Sequence, residues 1–79
     1  MIIILKLFDF IYCEDNTIST LVQIEGKKDN VFEIIFNGAG EIVESNATNK
    51  QRLYEAQARI AFKKYLGKPL PKEISSMWY

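Results

Sequence analysis

Three apolar segments of strand length lie close together in the first half of the sequence, separated only by short turn-forming segments. The first, residues 2–13, is rich in Ile, Phe and Leu, and the second, residues 18–25, alternates between apolar and polar side chains. The third is residues 31–37, whose aromatic and aliphatic residues share one face. Period-two alternation indicates β-strands. Turns as short as EDNT and GKKDN suit neighbouring antiparallel strands, so the sequence predicts an antiparallel meander.

The segment NGAGE, residues 37–41, interrupts the third of these strands. Its two glycines permit a bulge or a tight turn. Ile42 and Val43, which follow, either form a short fourth strand or extend the third. The sheet therefore has three or four strands.

A helix is predicted over residues 48–66. Thr48 followed three residues later by Gln51 is the pattern of a capping box, and Ser45 is a rival N-cap. Lysines in the last turn and Gly67 directly after it are typical of a helix end.

The remaining segment, residues 68–79, is called the tail. Pro71 suits a first helical position, and Ile74 and Trp78 are four residues apart, so we expect a short ordered turn. The chain as a whole, residues 1–79, is predicted to be one small α+β domain. In it, a long C-terminal helix packs on one face of the meander.

The predicted helix has two apolar stripes where packing on a sheet needs one. The broader stripe, suited to face the sheet, contains Tyr54, Ala58, Ala61, Phe62 and Tyr65. A narrower stripe on the opposite side, formed by Leu53, Ala56 and Ile60, needs a second cover. Either the tail or another molecule could supply it, and the first strand, apolar on both faces, poses the same problem. We expect a partner protein, and first a second copy, to contact Leu53, Ile60, Met77, Trp78 and Tyr79.

The small size of the chain also favours self-association. A chain of 79 residues buries only about 60% of its unfolded surface and commonly needs additional stabilisation. Cys13 is the single cysteine and the chain has no His, so neither an internal disulfide nor a structural zinc site is expected. A homodimer is the remaining source of stability.

The net charge of zero conceals a separation of charge along the chain. Residues 1–49 contain three Lys and eight Asp or Glu, a net charge of −5, whereas residues 50–79 contain seven Lys or Arg and two Glu, a net charge of +5. A basic ridge on the predicted helix comprises Arg52, Arg59 and Lys63, with Lys68 beyond it. These residues are either a nucleic-acid-binding surface or a solvated helix face opposite an acidic sheet.

A catalytic site is not expected. No His is present to act as a base for a nucleophile, and the carboxylates of Glu14 and Asp15 beside Cys13 disfavour its thiolate. The GAG segment lacks the remaining residues of a phosphate-binding loop, and the acidic residues lack calcium-loop spacing. We therefore expect no cofactor and no metal.

The sequence MIIILKLFDFIYC differs from a signal peptide, because Lys6 and Asp9 interrupt it and no basic segment precedes it. It is also too short to span a bilayer, so we expect no membrane and a cytoplasmic location. Abundant Ile and Asn, and eight Lys against two Arg, are typical of AT-rich coding sequences such as those of phages. In composition and size the chain resembles small inhibitors that phages and plasmids direct at host complexes, in the host cytoplasm. The predicted function is non-catalytic protein binding, and the alternative is RNA or DNA binding through the basic ridge.

Overall fold

The computed structural model describes residues 3–78, except for the side chain of Trp78. It contains one five-stranded antiparallel sheet and one short helical segment, which confirms the α+β class. In chain order the elements are β1 (Ile3–Tyr12), β2 (Ile18–Ile24), β3 (Val31–Phe36), β4 (Ile42–Ser45), a 3-10 turn (Arg52–Tyr54) that leads directly into α1 (Glu55–Lys63), and β5 (Glu73–Trp78). Their order across the sheet is β4-β3-β2-β1-β5.

Strands β1 to β4 form the meander, and the segment after β3 is a tight turn into a short fourth strand. The Asn37 side chain accepts hydrogen bonds from the backbone N–H groups of Ala39 and Glu41, each at 3.0 Å. Gly40 adopts φ +78°, a conformation that favours glycine, and its N–H donates to the Asn37 carbonyl. The chain thus reverses, and β4 pairs with β3.

The helical segment is shorter than predicted and lies mid-chain, covering 52–63 in place of 48–66. The Gln51 side chain does accept a hydrogen bond from the Thr48 N–H at 2.9 Å, as in a capping box. However, its amide also donates to Asn30 in the β2–β3 turn, which holds this segment in a turn against the sheet. After Lys63 the chain continues in i→i+3 turns to Gly67 instead of α-helix.

The prediction of a helical turn in the tail is wrong, because Glu73–Trp78 form strand β5. β5 pairs antiparallel with β1 on the edge that β2 leaves free, with Leu7 opposite Ile74. Without this pairing, backbone N–H and C=O groups beside the fully buried Leu5 and Leu7 would lack partners. The spacing of Ile74 and Trp78 is compatible with a helix, but the backbone of β1 is better satisfied by a strand.

The core lies between one face of the sheet and the helix. Its buried residues are Leu5, Leu7, Val22, Ile24, Phe32, Ile34, Phe36, Ala58, Ala61, Phe62 and Ile74. Tyr54 and Tyr65 pack against this cluster, so the broad helical stripe does face the sheet. Leu5 and Leu7 belong to this core, so it covers one of the two apolar faces of the first strand.

A β-bulge at Asp9 changes which residues of β1 face the core. Asp9 and Phe10 together oppose one residue of β2, Thr20, and Asp9 adopts φ +54°. The Thr20 hydroxyl, which is fully buried, donates to the Phe8 carbonyl at 2.9 Å. Because of the extra residue, Phe10 packs on the core and Asp9 stays exposed.

Candidate protein-binding surfaces

The outer side of the helix carries the narrow apolar stripe, and no other described element covers it. Leu53 is 64% exposed and Ile60 is 48% exposed, with the exposed Ala56 between them in sequence. We call these three residues the outer helix surface. Strand β5 of the tail does not cover them, because it is paired with β1 at the edge of the sheet.

Exposed cations flank the outer helix surface in the sequence. Lys50, Arg52 and Lys64 are all exposed, and none of them forms an ion pair within residues 3–78. An apolar centre with a positively charged margin suits an apolar protein surface that carries carboxylates.

Two residues of the basic ridge are paired with one carboxylate. Arg59 Nη1 lies 3.1 Å from Glu41 Oε2, and Lys63 Nζ contacts Glu41 Oε1. Hydrogen bonds from Lys63 and then Arg59 hold the pKa of Glu41 below its ordinary value of 4.5. This cluster fastens the turn after β3 to the helix, and part of the charge of the ridge is neutralised.

The other two residues of the ridge are separate. Arg52 lies in the 3-10 turn, where the spacing of an α-helix does not apply, and Lys68 lies beyond Gly67. Both are exposed, and neither is ion-paired among the described residues. The four ridge residues therefore do not form one continuous row of free cations.

The sheet face opposite the helix is a second apolar surface, which we call the open sheet face. Its residues alternate with the core residues, and cross-strand partners place them in rows. Ile4 is opposite Met77, and Phe8 is opposite Leu21. Apolar members of the open sheet face are Ile4, Phe8, Ile11, Leu21, Val31, Ile35 and Met77.

Charged residues occupy separate strands of the open sheet face. Lys6 lies on β1 and Glu33 on β3, the two strands that flank β2. Lys6 Nζ is 3.5 Å from Glu73 on β5. The Ser19 hydroxyl donates to Glu33 Oε2 at 2.8 Å, which fixes that carboxylate on the surface.

The predicted partner-binding residues do not form one site. Leu53 and Ile60 lie on the outer helix surface, whereas Met77, 68% exposed, lies on the open sheet face. The sheet and its core separate the two surfaces. The side chain of Trp78 and all of Tyr79 lie outside the described residues.

Sequence reasoning missed most of the open sheet face. Two signals for it exist in the sequence: apolar residues on both faces of the first strand, and Leu21 as an outward apolar residue in an otherwise alternating strand. The part of this face on β5, which includes Met77, was missed because residues 73–78 were expected to be helical.

The concave surfaces are shallow. One cleft of about 380 Å³ is lined by Asp9, Phe10, Tyr12, Leu70, Pro71 and Lys72. Within residues 3–78, no cluster of three or more Cys, Asp or Glu side chains is arranged to hold a metal. In the same part of the chain, no helix has the length and apolarity needed to cross a membrane.

The chain was compared with protein-family models, with curated proteins and with solved structures, and no significant match was found. The assignment of the chain to the α+β class therefore rests on its fold alone.

Proposed function

We propose that this protein is a small non-catalytic binding protein that regulates a partner protein, in the manner of phage or plasmid inhibitors of host complexes. In this proposal it acts in the cytoplasm as a homodimer. One observation carries the proposal: Leu53 and Ile60 remain exposed, 64% and 48%, on a helix whose opposite side is buried.

Exposed apolar side chains on one side of a helix are effective docking anchors. Burying a Leu or Ile side chain contributes about 1.5–3 kcal/mol. Leu53 and Ile60 are held by the 3-10 turn and α1, so little conformational entropy is lost when a partner binds. This supports binding through a preformed surface.

The charges around the anchors support a partner with a defined character. Lys50, Arg52 and Lys64 form a positive margin. The partner is therefore a protein that presents an apolar groove or patch bordered by Asp and Glu. Electrostatic attraction of this kind mainly accelerates association and excludes partners of the same charge.

The test is affinity capture from host lysate with wild-type protein and with the variant Leu53→Ser/Ile60→Ser, after nuclease treatment. We expect wild type to retain a defined acidic protein in stoichiometric amount and the variant to lose it. Val43→Ser is the matched control, because Val43 is 54% exposed on the edge strand β4 and does not belong to the outer helix surface. Equal capture by wild type and the double variant would contradict the proposal.

A further inference from the structure

We propose that the homodimer forms through the open sheet face, with its two-fold axis along β2, so that two sheets stack and both outer helix surfaces stay free. This proposal rests on the homodimer of the proposed function and specifies which surface forms it. The occupant of the open sheet face is a second copy of this chain.

The size of the open sheet face is adequate for a stable dimer. Five strands about 4.8 Å apart and about six residues long make a face of roughly 24 by 20 Å. Its outline is therefore about 480 Å², and the relief of its side chains brings the accessible area towards the roughly 800 Å² that each partner of a standard interface buries. Ile4, Ile11 and Met77 are exposed on it in the single chain. Face-to-face stacking of two sheets is a common way to cover such a surface.

One pair of charges near the centre of the face, Lys6 and Glu33, is self-complementary about this axis. A two-fold axis along β2 exchanges the strands on either side of it, so β1 of one copy lies opposite β3 of the partner subunit. Lys6 is on β1, and Glu33, one row further along the sheet, is on β3. Lys6 then reaches Glu33 of the partner subunit, and the symmetry repeats the pair. Leu21, on β2, lies at the axis.

The remaining carboxylates meet only at the edges of this arrangement. The same axis places β5 of one copy opposite β4 of the partner subunit, so Glu73 comes near Glu44 of the partner subunit. Glu44 on β4 and Glu73 on β5 are exposed at the two edges of the sheet. Charges at the solvated margin of an interface are screened, and Glu73 already has Lys6 beside it. Glu33 has one carboxylate oxygen without a hydrogen bond within residues 3–78, available to the lysine of a second copy.

A closed dimer fits better than a head-to-tail chain of copies. If the outer helix surface of one copy bound the open sheet face of the next, the assembly would always keep one free surface of each kind at its two ends and would continue to grow. The two-fold arrangement ends at two copies and leaves Leu53 and Ile60 on the outside of both. The proposed function requires these two side chains to be accessible to the partner protein.

The first test uses two charge-reversal variants, Lys6→Glu and Glu33→Lys. Each alone places like charges opposite one another in a homodimer, so each should be monomeric in sedimentation velocity while wild type has about twice the 9.2 kDa chain mass. Mixed in equal amounts, the two variants should form a heterodimer, since opposite charges then face each other at both symmetry-related contacts. Formation of the heterodimer also demonstrates that both variants are folded.

Other results overturn the proposal. Wild-type protein that stays monomeric at high concentration would exclude a homodimer through any surface. Single variants that dimerise as well as wild type would place the contact elsewhere. A mass that keeps rising with concentration would indicate head-to-tail association.

The second test is chemical cross-linking in a Cys13→Ser background, and it does not depend on charge variants. A short bis-maleimide should link two copies through Leu21→Cys, at the axis, and not through Leu53→Cys, on the outer helix surface. The opposite pattern would overturn the proposal. Failure of partner capture by the outer helix surface would leave both tests unaffected, so the two proposals can fail separately.

Discussion

Phe36 of β3 and Phe62 of α1 form a parallel aromatic stack, with ring centroids 4.2 Å apart and ring planes 2° from parallel. Both side chains are fully buried. This pair is a direct contact between the sheet and the helix that carries the outer helix surface.

Removing either ring should destabilise the protein strongly. Phe36→Ala and Phe62→Ala should each lower the free energy of unfolding by about 3–5 kcal/mol, from lost burial and an added cavity. The double variant should show a coupling of about 0.5–1.5 kcal/mol, since aromatic pairs contribute beyond their buried area. Urea denaturation of wild type, the two single variants and the double variant measures this coupling energy. Strictly additive losses would mean that the stack has no energy of its own.

Gly40 should not tolerate a side chain, whereas Gly38 should. Gly40 has φ +78°, and a Cβ there would lie 2.9 Å from Lys63 Cγ and 3.2 Å from Leu66 Cδ1. Gly40→Ala should therefore lower the free energy of unfolding by roughly 1–3 kcal/mol. Gly38→Ala is the control, because a Cβ at Gly38 meets nothing within 4 Å. Equal effects in thermal denaturation would refute this explanation.

The bulge predicts that two substitutions of Asp9, both of which remove its charge, differ in their effect on stability. Asp9→Val places a β-branched residue at φ +54° and should cost at least about 1–2 kcal/mol. Asp9→Gly should stay within about 1 kcal/mol of wild type, because glycine adopts this conformation without strain. Equilibrium unfolding of both variants and of wild type measures these differences in the free energy of unfolding. A valine variant as stable as the glycine variant would argue against the bulge.

The Glu41 ion pairs predict a loss of stability in acid. The pKa of Glu41 is lower in the folded protein than its ordinary value of 4.5, so the folded state favours the ionised form. Its stabilising contribution is present above pH 4.5 and is lost as the pH falls through the folded pKa. Urea midpoints measured between about pH 7 and about pH 3 should fall less for Glu41→Gln than for wild type. Parallel curves would show that the ion pairs do not affect stability.

Nucleic-acid binding through the basic ridge should be weak, because Arg59 and Lys63 are paired with Glu41. At about 0.15 M salt, duplex RNA and DNA should show no saturable binding in fluorescence anisotropy. Tight binding that weakens steeply with salt, with a slope that Arg52→Ala and Lys68→Ala reduce, would establish the alternative function instead.

Much of the fold could be predicted because the meander is encoded locally. Period-two alternation and short turns identified β1, β2 and β3 to within one residue at each end. β5 could not be identified in this way. Residues 73–78 have two small serines and an ambiguous spacing, and they form a strand because the free edge of β1, distant in sequence, needs backbone partners.

The outer helix surface could be predicted from the sequence, whereas most of the open sheet face could not. Helical spacing predicts the exposure of Ile60 on α1, and Leu53 is exposed although it lies in the 3-10 turn that precedes α1. One end of the open sheet face depends on the bulge at Asp9, which places Ile11 on that face; a regular strand would have turned Phe10 outward and Asp9 into the core. A bulge of this kind has no signature in the alternation itself, and Asp is only one of several residues that tolerate a positive φ.

The pairing of β1 with β5 has a consequence for the order of folding. Ile3 lies opposite Trp78, so this ladder closes a loop that includes nearly every described residue, whereas the meander ladders join residues close in sequence. Local contacts form faster, because closing a longer loop costs more chain entropy. β5 is therefore expected to dock last, and Met77 joins the open sheet face only then.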